Sequence, residues 1–323
     1  MSNPLKRPRT EGSAIQEDLK KDLVKDKEAW FYDGNIDIVA EGIAFRVHRS
    51  VLSLHSDLFR DMLSIPQAQD AGTSSDVPAV DVTDSADDMR HLLLTLYHNN
   101  KHFKPDKKVD FEVVNTLVHI AHKYQVQNVL DEAMSRIKAL FPGTMHALIK
   151  VLDEYPAGHT MKYEDTKTNS LRVIEIARLV GDTSLLRPAY YRLCQHVRRG
   201  GPEVDESLKD SDPLSAAFDE VTRRAVAGAP HLRLATLEVR EEAFMTSTAE
   251  ECFQDDCLEV LSSMNACMVD EQSLLCDAFD CVDMEGWSDT LCGRCVSLVQ
   301  GRENDAQERV WEQLPTFFNF KED

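Results

Sequence analysis

The chain has 323 residues and a formal net charge of −20, which is enough length for two ordinary domains, each with its own buried core. A surface of this sign repels phosphate backbones and anionic membranes, and this argues against direct nucleic-acid binding as the main activity. No apolar run approaches the ~18 residues that span a bilayer, and no signal peptide opens the sequence. We therefore expect a soluble, intracellular protein.

The beginning of the chain, residues 1–27, is polar and lacks a core-forming period, which predicts a disordered tail. Lys6-Arg-Pro-Arg9 is a small basic cluster within it. Such a cluster is typical of a nuclear import signal, which needs exposed basic residues on a flexible segment. It is equally typical of a solvated tail, so the compartment stays open between nucleus and cytoplasm.

Two short runs with a period of two follow, on either side of a glycine. Ile36, Ile38 and Ala40 alternate with polar or smaller residues, and the alternation resumes after Gly42. This predicts a β-hairpin with one buried face. The spacing then becomes helical through Leu63, and Ser56 is placed to cap the second of two short helices.

Further elements complete a small α+β unit. A short strand around Val80 and a capped helix from Ser85 come next, and two more helices end before Pro142. Together these predict a three-stranded sheet covered by a cluster of helices.

The order of these elements resembles the opening of a BTB/POZ domain, which has a hairpin, then His-Arg-x-Val-Leu, then Ser-x-x-Phe-x-x-Met-Leu. Here those residues are His48 to Leu52 and Ser56 to Leu63. The residue pattern around the hairpin most resembles that of a large fungal-type group of BTB proteins. The resemblance implies a BTB/POZ domain over residues 28–141.

The same resemblance implies a protein–protein interaction module that pairs with itself or with other BTB domains. Dimeric relatives also place a strand acid near the arginine of His-Arg, but here Asn35 lies where that acid would be and Asp37 follows two residues later. The residues that the resemblance assigns to partner binding are Asn35, Asp37, Arg49, Val51, Leu52, Leu54, Leu58 and Phe59.

An adaptor role for a cullin-type ubiquitin ligase is the alternative that the family suggests. Such adaptors often carry a hydrophobic-x-Glu element after the second helix. The corresponding stretch here, Ile65-Pro-Gln67, lacks the glutamate.

From residue 142 to the end of the chain, the pattern predicts a mostly α-helical C-terminal region with an acidic, cysteine-rich end. Seven of the eight cysteines lie between Cys252 and Cys295. The spacings Cys252-x4-Cys257 and Cys292-x2-Cys295 form two chelating pairs of the kind that build a structural zinc site. We assign Cys252, Cys257, Cys292 and Cys295 as metal ligands.

Two other uses of these cysteines remain open. Several could be small buried hydrophobes beside leucines on amphipathic helices, and Cys292 and Cys295 could form a redox pair. Fungal-type BTB proteins commonly end in a similar pattern, which here is Leu291-Cys-Gly-Arg-Cys295 followed by Trp311-Glu-Gln-Leu-Pro315.

No catalytic motif is present in the sequence. It contains no phosphate-binding Gly-x-x-x-x-Gly-Lys, no Gly-x-Ser-x-Gly elbow and no His-Glu-x-x-His. The acidic residues are numerous, but their spacing singles out no acid/base pair. We therefore expect a non-enzymatic scaffold or regulator, and an enzyme is the alternative from another class.

Overall fold

The computed structural model describes residues 23–64, 77–98, 103, 108–153, 161–163, 166–199, 213–250, 252, 256–268, 277–279 and 290–321. Several features of the sequence lie outside these residues. They are the tail before residue 23, the basic cluster Lys6–Arg9, the stretch Ile65–Gln67 and two of the cysteines, Cys276 and Cys281. The chain divides into two compact units, Met1–Met134 and Ser135–Asp323.

The first unit is built on a small sheet. In the described residues the sheet has four strands in the order β1-β3-β2-β4. The strands are β1 Val24–Trp30, β2 Ile36–Ala40, β3 Ile43–Val47 and β4 Ala79–Asp81. Strands β2 and β3 are antiparallel, β1 runs parallel to β3, and β4 runs parallel to β2. The predicted hairpin and short strand are therefore present.

The turn between β2 and β3 consists of Glu41 and Gly42, both with positive φ (47° and 78°). Two such residues in a two-residue loop match the twist of antiparallel strands. Glu41 adopts this conformation without being glycine, and its carboxylate accepts a hydrogen bond from the backbone N–H of Ala86 at 3.0 Å. The hairpin tip is thereby linked to the helix that begins there.

Strand β1 corrects the sequence analysis in two respects. It adds a fourth strand to the three that were predicted, and it includes residues 24–27, which the composition assigned to the tail. Its side chains are mostly charged and exposed, so no alternation of apolar residues marks it. Pairing depends on backbone bonds, such as those from the N–H of Val24 to Gly42 (3.0 Å) and from the N–H of Phe31 to Arg46 (2.9 Å).

Helices cover the sheet. They are α1 Arg49–His55, α2 Asp57–Ser64, α3 Ala86–Tyr97, α4 Phe111–Lys123 and α5 Gln127–Leu140, with a two-residue strand β5 at Val109–Asp110. Ser56 and Ser85 cap α2 and α3 as predicted, accepting bonds from the N–H groups of Phe59 and Asp88 at 3.0 Å each. The core is formed by apolar side chains that are almost fully buried, among them Ile36, Ile38, Phe45, Leu52, Phe59, Met89, Leu92 and Val114.

The second unit is mostly helical. Its elements are α6 Met145–Asp153, a two-residue strand β6 Met161–Lys162, α7 Lys167–Val180, a 3-10 helix Thr183–Leu185, α8 Leu186–Arg199, α9 Pro213–Ala243, α10 Cys257–Met268 and α11 Gly293–Phe317. The long helices α9 and α11 pack along each other, and α8 packs against α7 and α9. In the described parts of the chain, no helix combines the length and apolar character needed to cross a membrane.

Helix α9 approaches the C-terminal end of α11 closely at Gly228. A Cβ atom at this position would lie 2.3 Å from Cδ1 of Phe318 and 2.8 Å from the carbonyl oxygen of Phe317. Phe318 is itself fully buried and stacks on Tyr190 with the ring centroids 5.4 Å apart. The missing side chain at position 228 therefore lets α9 approach the C-terminal end of α11.

Candidate functional site

Asn35, one of the predicted partner-binding residues, caps helix α1. Its Oδ1 accepts a hydrogen bond from the backbone N–H of Arg49 at 2.8 Å, and Arg49 is the first residue of α1. His48, the residue that precedes the helix, makes no side-chain cap. Asn35 thus satisfies one of the unpaired N–H groups of the first turn, and the guanidinium of Arg49 donates to the carbonyl of Leu63.

Asp37 forms an ion pair inside the sheet. It faces Arg46 across the hairpin, and its two carboxylate oxygens lie 2.8 and 2.9 Å from Nε and Nη2 of Arg46. The hydrogen bond that the Arg46 guanidinium donates to Asp37 raises the pKa of this guanidinium, which also lies 4.4 Å over the ring of Trp30. The structure therefore pairs Asp37 with Arg46, whereas Asn35 contacts Arg49.

The five predicted apolar residues divide between core and surface. Leu52 and Phe59 are fully buried, and the ring of Phe59 stacks on Tyr124 at 4.6 Å. Leu54 is 79% exposed and Leu58 is 37% exposed, while Val51 is half-buried. Two of the five residues therefore serve the core, and Leu54 and Leu58 present apolar surface outward.

A second candidate site lies in the C-terminal unit, where four cysteines from three segments converge. Cys252 follows α9, Cys257 begins α10, and Cys292 and Cys295 lie at the start of α11. All four sulfurs lie within 4.8 Å of one another. The structure thus brings together the four residues that the sequence assigned as metal ligands.

The distances between the sulfurs fit a shared ion better than a disulfide. Sγ of Cys252 lies 3.8 Å from Sγ of Cys292 and 3.6 Å from Sγ of Cys295. A disulfide requires about 2.05 Å between sulfurs, whereas four sulfurs placed tetrahedrally at about 2.3 Å from one ion lie about 3.8 Å apart. None of the four cysteines forms a disulfide, so the cluster could hold a metal ion.

Backbone N–H groups and burial shift the pKa values of the cysteines in the cluster. The N–H of Ala249 donates to Sγ of Cys295 (3.5 Å), and the N–H of Cys292 donates to Sγ of Cys257 (3.4 Å). The backbone N–H of Cys295 is the main cause that lowers the pKa of Cys292 to about 6. Burial raises the pKa of Cys295 to about 12 and also raises that of Cys257. Cys292 precedes the first turn of α11, where the helix dipole favours a thiolate.

An apolar shell and one arginine support the cluster. The buried residues around it are Ala243, Phe244, Leu261, Met264, Leu291 and Val299. Arg302 of α11 donates to the carbonyls of Met245 and Ser247 at 3.3 and 3.4 Å and to the hydroxyl of Ser247 at 2.5 Å. This guanidinium therefore attaches the segment that leads into Cys252 to the helix that carries Cys292 and Cys295.

The supporting residues were not found from the sequence. Arg302 lies 57 and 55 residues from its partners Met245 and Ser247, and no local spacing connects them, whereas Arg46 is nine residues from Asp37. The alternation of the hairpin places Asp37 and Arg46 on one face of paired strands, so the register would have indicated their contact. No comparable signal exists for Arg302.

In the comparison with family models, residues 33–140 match the BTB/POZ domain. Residues 33–140 are therefore a BTB/POZ domain, with a small sheet and helices, and a mostly helical region follows it. BTB/POZ domains as a class are protein–protein interaction modules that mediate homo- or heterodimerisation, which is consistent with a non-enzymatic role. No curated protein matches the chain.

Proposed function

We propose that this protein is a self-associating scaffold or regulator whose BTB/POZ domain pairs two copies through the outer side of α1 and the start of α2. The observation that carries the proposal is the contrast along this segment. Leu52 and Phe59 are fully buried, yet Leu54 is 79% and Leu58 37% exposed. Apolar side chains held outward by a fixed backbone suit association with another polypeptide.

Charge has a minor part in this pairing. The carboxylate of Asp37 is already neutralised by Arg46 within the same chain, and Asn35 is uncharged. No acid at either position is available to the guanidinium of Arg49 of another copy. We therefore expect apolar contact to dominate, at micromolar chain concentration.

The test is sedimentation or light scattering of the full chain over a concentration series. Burial of a leucine contributes about 1.5–3 kcal/mol, so Leu54→Glu combined with Leu58→Glu should weaken self-association by at least about tenfold. Leu234→Glu is the matched control, because Leu234 is a comparably exposed leucine (57%) on α9. A wild-type chain that stays strictly monomeric at high concentration would overturn the proposal.

The alternative function is an adaptor for a cullin-type ubiquitin ligase. The family supports this alternative, but Ile65-Pro-Gln67 lacks the glutamate of such adaptors. Affinity capture of a cullin by the full chain, lost with Leu58→Glu but kept with Leu234→Glu, would favour the adaptor over the self-associating scaffold.

The C-terminal pattern also supports membership of the fungal-type group of BTB proteins. Leu291-Cys-Gly-Arg-Cys295 and Trp311-Glu-Gln-Leu-Pro315 follow that pattern. We propose that the protein is intracellular, in the nucleus or the cytoplasm, and Lys6-Arg-Pro-Arg9 is the feature that favours the nucleus. Deleting Lys6–Arg9 from a fluorescent fusion should move it to the cytoplasm, and unchanged nuclear signal would contradict the assignment.

For the second unit we propose that Cys252, Cys257, Cys292 and Cys295 hold a structural zinc ion. Thiolates are soft ligands that select zinc over magnesium or calcium. Four protein ligands leave no open position, which is the arrangement of a structural rather than a catalytic zinc. The ion would join the segment after α9 to the starts of α10 and α11.

Metal analysis of the purified full chain tests this proposal. We expect one zinc per chain, and we expect Cys257→Ser to lose most of it. Cys194→Ser is the matched control, since Cys194 is equally buried but lies on α8 outside the cluster. Purified wild-type protein that contains no metal, and that does not take up zinc after reduction, would contradict it.

A further inference from the structure

The four sulfurs of the cluster differ in exposure and in backbone setting. Cys257 and Cys295 are fully buried and lie within helices α10 and α11. Cys252 and Cys292 are only partly buried, and neither lies inside a helix: Cys252 is in the segment after α9 and Cys292 directly precedes α11. Each metal-binding pair along the sequence thus contains one buried and one accessible sulfur.

The two accessible sulfurs are also neighbours in space. Sγ of Cys252 lies 3.8 Å from Sγ of Cys292, and a disulfide requires an approach to about 2.05 Å. Cys252 lies outside the helices and can supply this small shift, whereas the carbonyl of Cys292 accepts the first hydrogen bond of α11, from the N–H of Val296 at 3.0 Å. The buried sulfurs are held by their helices and by N–H groups of Ala249 and Cys292.

We propose that Cys252 and Cys292 are the oxidation site of the cluster, where a peroxide forms a disulfide between them and expels the metal ion. This inference rests on the proposed zinc site. A solvent-borne oxidant reaches exposed thiolates first, and the nearest accessible thiolate then resolves the product.

Oxidation proceeds in two steps. The thiolate sulfur of one accessible cysteine attacks an oxygen of hydrogen peroxide, the O–O bond breaks, and a sulfenic acid and hydroxide form. The second accessible thiolate attacks the sulfenic sulfur, the S–O bond breaks, and a disulfide and a second hydroxide form; each hydroxide takes up a proton from the solvent to give water. The peroxide is reduced by two electrons and the two thiolates are oxidised. Zinc leaves as the hydrated ion, and Cys257 and Cys295 each take up a proton.

Other pairings are disfavoured by position. Cys257 and Cys295 are both shielded from the oxidant by the apolar shell. Sγ of Cys295 lies 3.6 Å from Sγ of Cys252, but its residue lies within α11 and its sulfur accepts the N–H of Ala249. A bond to Cys295 would have to displace that contact and move a helical residue.

The experiment treats the reduced full chain with hydrogen peroxide in small excess. Zinc per chain is measured first, zinc release is followed with a chromogenic chelator, and disulfides are mapped by peptide mass spectrometry after alkylation of free thiols. We expect loss of the bound zinc together with a Cys252–Cys292 crosslink as the main product. Cys257 and Cys295 should be recovered as alkylated thiols, and Cys194→Ser should respond like the wild type.

The outcomes separate the two proposals. Zinc that stays bound under peroxide, or a main crosslink that includes Cys257 or Cys295, would overturn the oxidation site while leaving the zinc site standing. A protein without zinc that still forms the Cys252–Cys292 crosslink would contradict the zinc site and the release of a metal ion, while it would support Cys252 and Cys292 as the oxidised pair.

Discussion

The two units of this chain are organised by different interactions. The BTB/POZ unit is held by an apolar core, in which Ile38, Phe45 and Leu52 are fully buried, together with side chains that bind distant backbone groups. Near the end of the C-terminal unit, three segments are held together by four cysteine sulfurs and by the hydrogen bonds of one arginine, Arg302. Burial stabilises in proportion to area, whereas a chelate depends on every ligand at once. The first unit should therefore tolerate gradual change, and the cysteine cluster should respond abruptly.

Metal removal should produce the largest difference in hydrogen-exchange protection between the two units. Structural zinc contributes on the order of 10 kcal/mol to the folding of small zinc domains, so a strong chelator should abolish protection of the α10 and α11 starts. Hydrogen exchange with mass spectrometry measures this peptide by peptide. Peptides from β2 and β3 are the internal control, and equal loss of protection in both units would show that the cluster has no separate role.

Core truncation in the first unit should have a smaller, graded effect. Leu52→Ala should lower the free energy of unfolding by about 2–5 kcal/mol, because the side chain is fully buried. Leu54→Ala, two residues along the same helix, should change it by less than about 0.5 kcal/mol. Denaturant unfolding measures both variants, and equal losses would mean that Leu54 is not the exposed residue.

The buried carboxylate of Asp26 should give the first unit a pH dependence. Burial alone would raise the pKa of Asp26, but the N–H groups of Ala29 and Glu28 and the guanidinium of Arg90 (2.7 Å) lower it below its ordinary value of 3.8. A lowered pKa in the folded state adds stability above the unfolded pKa, and this stability is lost as the pH falls through the folded pKa.

Asp26→Asn should therefore cost about 1.5 kcal/mol at neutral pH, a low value for a charged hydrogen bond because Arg90 is partly exposed. The difference in free energy of unfolding between wild type and variant should become smaller as the pH falls below about 4. Denaturant unfolding at several pH values measures it. A constant difference across this range would exclude ionisation of Asp26 as the cause.

The smallest effect should come from the cap of α1. Asn35→Ala removes the acceptor for the N–H of Arg49, which should cost about 1 kcal/mol. Tyr32→Ala in the same loop is the control, since Tyr32 is 95% exposed. Equal stability of the two variants would show that Asn35 does not cap the helix in solution.

Local patterns predicted much of both units. The hairpin, the caps at Ser56 and Ser85, and the four converging cysteines follow from alternation, capping chemistry and chelating spacing. Strand β1 was not predicted because four of its seven side chains are charged, no alternation of apolar residues marks it, and its pairing is made by backbone groups. Which of Leu52 and Leu54 is buried depends on which face of α1 contacts the core. A seven-residue helix is too short for its hydrophobic period to decide this.

The contact of Gly228 with Phe318 has a consequence for how the sequence can evolve. No amino acid is smaller than glycine, so every substitution at position 228 drives an atom into the ring that lies 2.3 Å from the missing Cβ. A smaller side chain at position 318 would remove only part of the obstacle, because the backbone carbonyl oxygen of Phe317 would still lie 2.8 Å from the new Cβ. Among descendants of this gene position 228 should therefore remain glycine, even where position 318, which is 90 residues further along the chain, varies.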